Sequence, residues 1–303
     1  MGELLYYGCL TFFVYGFFGW CAEVAFAACK QRKFVNRGFL NGPICPIYGV
    51  GVTMVVFCLN PLKDNLLMLY LVSIVLVTVL EGVTGFAMDK IFHNKWWDYS
   101  EMPFNIGGYV CLLFSLIWGV ACVLIVDLLN PPIFRALEWL PKAAGITLIV
   151  VLGGALLADL YVTTAGIIKM NKQLESMKKI AAELREISDQ LGENIYGGVI
   201  AVLEKSEESR QKLEESKVKL EEKKDDLTSG VAEVTEEMKE RISTLKTKYK
   251  SLEKGSGFVG RRLIKAFPKM KSDRYKEQME KMRIRLVDKK RKDKEKKLNS
   301  EEE

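Results

Sequence analysis

Long uninterrupted apolar runs separated by short polar connections fill the first 168 residues, and the remainder of the chain reverses that proportion. The runs cover about Leu4–Cys29, Phe39–Leu59, Leu66–Met88, Ile106–Leu129 and Ala143–Ile168, each close to or above the roughly 20 helical residues that cross a hydrocarbon core. This pattern predicts an all-α, polytopic membrane helix bundle of about five spans. The second run opens on Asn41-Gly-Pro-Ile-Cys-Pro46, and Pro43 and Pro46 cannot donate to a helix, so its start is expected to be broken. A short amphipathic piece, Pro132 to Pro141, is expected to lead from the fourth run to the fifth.

Past Lys169 the apolar positions become sparse and helically spaced. One stripe is Leu174, Met177, Leu184, Ile187 and Leu191; a second is Leu227, Val231, Val234, Met238, Ile242, Leu245, Tyr249 and Leu252. Spacing of three to four residues marks a partner-seeking face, although Arg241 and Lys248 fall on core positions of the second stripe. Gly192, Gly197 and Gly198 are expected to interrupt the first stripe and Gly255-Ser-Gly257 to end the second, giving a helical, partly coiled-coil extension of two or three helices that fold back as a hairpin or self-associate. The expected divisions are a membrane domain at 1–168, a helical region at 169–257 and a basic amphipathic tail at 258–303.

Charge sharpens the boundary. Residues 1–168 hold 9 Lys/Arg and 10 Asp/Glu, against 35 and 28 in residues 169–303. Within the apolar half, cations gather at Lys30, Arg32, Lys33 and Arg37 and again from Lys169 onward, whereas the connection after the second run carries only Lys63 and that between the fourth and fifth only Arg135 and Lys142. Because basic residues of short loops stay on the cytoplasmic side, five spans with the amino terminus outside and the carboxyl terminus in the cytoplasm of a cell membrane satisfy every loop. The start, Met1-Gly-Glu-Leu-Leu-Tyr-Tyr7, lacks a basic region, and the following run is too long and aromatic for a cleaved signal, so it is expected to remain as the first span. All seven cysteines lie in this half without a CxxC pair and read as small apolar packing residues.

Three motifs in order, Asn41-Gly-Pro-Ile-Cys-Pro-Ile-Tyr-Gly49, Glu81-Gly-Val-Thr-Gly85 and Trp96-Trp-Asp-Tyr-Ser100 with Pro103-Phe-Asn-Ile106, resemble the bacterial ABC-transporter permeases of the CmpB type over about the first 168 residues. The resemblance implies a transport-related membrane component whose ATPase would be a separate subunit. On the expected topology Glu23, Asn41 to Pro46, Tyr48, Glu81 and the loop of Trp96, Trp97, Asp98, Tyr99 and Asn105 all converge on the cytoplasmic leaflet. An acid inside a span costs a few kcal/mol and faces a bundle interior or wet cavity, so Glu81 heads this candidate polar site. Trp96, Trp97 and Tyr99 lie where aromatic belts sit, which would account for them but not for Asp98. Asp159, near the same end of the fifth run, joins this convergence, and both it and Glu23 read either as solvated interfacial acids or as part of the polar site.

There is no GxxxxGK[ST], so the chain does not hydrolyse ATP through a P-loop, and no HExxH or GxSxG occurs. His93 is the sole histidine, which excludes a multi-histidine metal site; no catalytic residue, cofactor or metal is expected. In the tail, Phe258-Val-Gly-Arg-Arg-Leu-Ile-Lys-Ala-Phe267 sets Arg261, Arg262 and Lys265 among apolar residues, which reads either as a helix on an anionic lipid surface or as a solvated basic tail. Membrane lipids are therefore nearer partners than nucleic acid. The rival to a permease-like component is a non-transporting membrane anchor or scaffold whose working part is the extension.

Overall fold

The computed structural model describes residues 2–211, 236–253, 255 and 257–301. It is an all-α protein whose four long apolar helical stretches, Gly2–Gln31, Leu66–Phe92, Leu112–Glu138 and Lys142–Glu193, have the length and composition to cross a membrane. In place of the expected second span stands a shorter apolar stretch, Pro46–Leu62.

The first compact unit joins residues 1–171 to residues 257–303. Helix α1 (Gly2–Gln31) packs on α2 (Pro46–Leu59), and between them residues 32–45 are not helical. Pro43 and Pro46 explain this, since neither supplies a donor; Pro46 can open α2 because the first helical N–H has no intrahelical partner. Helix α3 (Leu66–Phe92) starts at Asn65, whose side chain accepts from the Met68 amide, and stops at His93, a left-handed residue at φ 55°.

The expected fourth run starts later than its hydropathy indicates. Asn105–Ile106 pairs antiparallel with Val110–Cys111 across Gly107 and Gly108, both at positive φ, and α4 (Leu112–Leu124) begins only after that hairpin. Its continuation is a π-turn, Ile125–Leu129, and α5 (Asn130–Glu138). Pro131 and Pro132 carry no N–H, so carbonyls of the preceding turn lose their usual donors and the backbone widens there. The piece expected as a separate connector is thus largely the end of one long stretch.

Helix α6 (Lys142–Gln211) runs for 70 residues and carries straight through Gly192, Gly197 and Gly198. The expected interruption there does not occur: glycine in a helix costs roughly 1 kcal/mol relative to alanine, too little to break it alone.

The second compact unit is residues 172–256. Here Ile180, Ile187 and Leu245 are buried together, with Leu184, Met238, Ile242, Tyr249 and Leu252 against them, so α6 pairs with helix α7 (236–253). Arg241, which falls on a core position of the heptad reading, instead reaches Glu183 at 2.8 Å, and the Gln173 amide donates to the Leu252 carbonyl. The expected stripe members Leu227, Val231 and Val234 lie outside the described residues. Gly255 and Gly257 follow the end of α7, as expected. In the first unit the chain closes with α8 (Phe258–Ala266) and α9 (Lys276–Glu301).

Candidate functional site

The non-helical segment between α1 and α2 turns back along α1. The Cys45 amide donates to the Gly16 carbonyl at 2.9 Å, and Gly16 lies about 22 Å from the end of α1 at the usual helical rise. Small residues admit it: a Cβ on Gly16 would come within 3.1 Å of Ile44, and one on Gly19 would overlap the Tyr48 ring. Irregular backbone inside a membrane bundle is tolerated only where protein or a wet cavity satisfies it, and here the partners can be named. Asp159 on α6 accepts from the Asn41 amide at 3.1 Å, the Asn41 side chain at 2.8 Å and the Gly42 amide at 2.6 Å. Asn36 accepts from the Gly38 amide at 3.0 Å and donates to the Asn41 carbonyl at 2.7 Å. Arg262 of α8 donates to the carbonyls of Gly38 and Phe39, at 2.8 and 2.7 Å. Burial pulls Arg262 down from its ordinary value, and the Asp159 carboxylate opposes that shift.

Beside this segment sit two acid–tyrosine pairs. The Tyr48 hydroxyl donates to Glu23 Oε1 at 2.8 Å, and Arg37 forms an ion pair with Glu23 Oε2 at 3.2 Å. Tyr99, from the loop between α3 and α4, donates to Glu81 Oε1 at 3.1 Å. Burial, then the Glu81 carboxylate and more weakly Glu23, push the Tyr99 phenol up, so it remains a donor. Those two acids thus both act on one phenol. Glu81 is 8% exposed, its Oε2 lacks a partner, and no cation pairs with it among the described residues.

The loop holding Tyr99 is itself fixed. Trp96 is buried against Phe39 and Phe92, Trp97 donates to the Tyr109 carbonyl at 2.8 Å, and Asn105 donates to Met102 while accepting from the Gly108 amide. The Tyr109 hydroxyl donates to Asp89 at 2.6 Å, and that bond pushes the phenol up to about 12. Trp96, Trp97 and Asn105 therefore shape the loop from inside the protein. Pro43 is exposed on the re-entrant segment and Pro46 begins α2. Arg261 and Lys265 are exposed on α8, while Arg262 faces the bundle. Sequence reasoning noted Asp159 without placing it in the site, used Arg37 only as a loop cation and passed over Lys271; one acid late in an apolar run was the only available signal for the first.

Asp98 joins the loop to the carboxyl-terminal segment. Lys271 Nζ donates to its Oδ2 at 2.7 Å and the Ser100 hydroxyl and amide to its Oδ1, which hold the carboxyl well below the usual carboxylate range and Lys271 above its own. The carboxylate's contribution is complete above the unfolded value near 4 and is lost as pH falls through the depressed folded value. The lysine's is complete below roughly 10.4 and lost as pH rises through the raised one. Protection of the Lys95 and Lys271 amides against hydrogen exchange, corrected for intrinsic rates, is therefore expected to stay flat between about pH 5 and pH 10. A step near neutrality would assign the attachment to another group.

Among known families, the model described as Putative ABC-transporter type IV matches residues 10–164, just over half of the 303-residue chain. No curated protein and no solved structure matches it.

Proposed function

Since the chain belongs to that ABC-transporter type IV family, we propose that it is the membrane-spanning permease component of a transport system, with its polar site where the re-entrant segment meets Glu23, Tyr48, Glu81 and Tyr99. The observation that carries this reading is the irregular backbone of residues 32–45, which meets α1 half-way along at Gly16 and is held by Asp159 and Arg262. Broken backbone beside buried acids is how polytopic transporters place polar groups at membrane depth. The basic residues Lys30, Arg32, Lys33 and Arg37 set this end of the bundle on the cytoplasmic side. Exposed Arg261 and Lys265 then suit the anionic inner leaflet. Having no P-loop, the chain draws its energy from a separate ATPase subunit.

A specific observation also supports the scaffold reading: residues 172–256 form a compact unit of their own in which α6 and α7 pair. One experiment separates the two. The full chain, cross-linked in native membranes and purified in mild detergent, is expected to carry a P-loop ATPase in fixed ratio, and replacing residues 173–254 by a flexible linker is expected to leave that complex and the gene's phenotype intact. Absence of any nucleotide-hydrolysing chain, together with a phenotype lost on replacing 173–254, would establish the scaffold.

A further inference from the structure

Residues 257–275 lie beyond the family match yet are bound to both loops that carry the polar site. Arg262 takes the carbonyls of Gly38 and Phe39 on the re-entrant segment, and Cys45 lies buried six residues further along that segment. On the other loop, Lys95 and Lys271 exchange backbone hydrogen bonds at 2.8 and 3.0 Å, Ser272 donates to the His93 carbonyl at 2.9 Å, and Lys271 pairs with Asp98 at 2.7 Å. Between these attachments Leu263, Ala266 and Met270 are fully buried. α8 approaches α6 so closely that a Cβ on Gly166 would lie 2.5 Å from Val259 Cβ, and one on Gly260 3.3 Å from Met170.

We propose that residues 257–275 are a lid over this end of the polar site, bolted by Arg262 on the re-entrant loop and by Lys271 on the Tyr99 loop. Two features make it a lid rather than a permanent wall. Its bolts are polar, and the Lys271 side chain is 53% exposed, so water can take over that contact. Among the described residues, Arg262 Nε on the lid and Asn41 Oδ1 and Trp96 Nε1 on the two loops it binds are buried without a partner, and water admitted there would satisfy them. Closed, the lid seals Cys45 and Asn41 from solvent on that side; open, it frees both site-bearing loops together. What the lid admits depends on the transport reading, but the lid itself is measured without it.

The reporter is native Cys45, 5% exposed, in full-length protein whose other six cysteines are replaced by alanine or serine. A membrane-impermeant thiol reagent is supplied to inside-out vesicles. Labelling is expected to be at least about ten-fold faster in Arg262→Ala and in Lys271→Glu than in the parent, the factor by which losing one charge-assisted hydrogen bond shifts a local opening equilibrium. The exchange variant Asp98→Lys with Lys271→Glu is expected to return towards the parent rate. Equal rates in the parent and both single variants overturn the lid. So does a rate that stays raised in the exchange variant, because the substitutions would then act by general loosening. Loss of transport with unchanged labelling counts against the lid and leaves the transport reading standing.

Discussion

Asp159→Ala is expected to produce the largest loss of stability of any single substitution in the membrane half. The carboxylate is the acceptor for two backbone amides, Asn41 and Gly42, and for the Asn41 side chain, and the Thr163 hydroxyl donates to it at 3.1 Å. Those amides belong to backbone that has no helix to fall back on, and each buried donor left unmade costs about 1 to 3 kcal/mol. Alanine should therefore cost on the order of 3 kcal/mol or more, seen as a lowered melting temperature in detergent and less folded protein in the membrane. Asparagine keeps one acceptor oxygen and should fall between the two. An alanine variant that melts with the parent would mean the re-entrant segment is not held by Asp159.

That dependence shows which parts of the fold the chain's own pattern can reveal. The apolar runs and the break at Pro43 and Pro46 are local: hydropathy and missing donors act within a few residues, and both features stand in the structure. The late start of α4 was also written locally, in Gly107-Gly108, but the hydropathy of Ile106 and Val110 through Leu113 masks the turn. Gly192 to Gly198 mislead in the opposite direction, because propensity is a weak term beside the continuity of a long helix. The partnerships of Asp159 with Asn41, Tyr99 with Glu81 and Lys271 with Asp98 join residues 118, 18 and 173 positions apart. No periodicity carries such information. A lone acid in an apolar run announces that a partner must exist without saying which residue it is.

Glu81→Gln is expected to abolish transport while leaving the protein folded. Glutamine has nearly the same volume, and its amide oxygen can still accept from the Tyr99 hydroxyl, which reaches Oε1 at 3.1 Å in the parent. What it removes is the ionisable carboxyl, whose Oε2 is buried without a partner and unopposed by any cation among the described residues. An uncompensated charge at such a position is expensive, so a structural role would be served as well or better by the neutral amide. The melting temperature should accordingly stay within the shift expected for about 1 kcal/mol, or rise. Tyr99→Phe provides the counterpart: it keeps the carboxyl, removes the hydroxyl that donates to it, and should leave reduced but measurable activity. Activity is read as the phenotype of the whole gene, and folding as the elution profile and melting of the purified chain. Full activity in Glu81→Gln would return Glu81 to a packing role, and loss of activity together with loss of folded protein would do the same. Only an inactive, normally folded glutamine variant beside a partly active Tyr99→Phe places the working chemistry on that carboxyl.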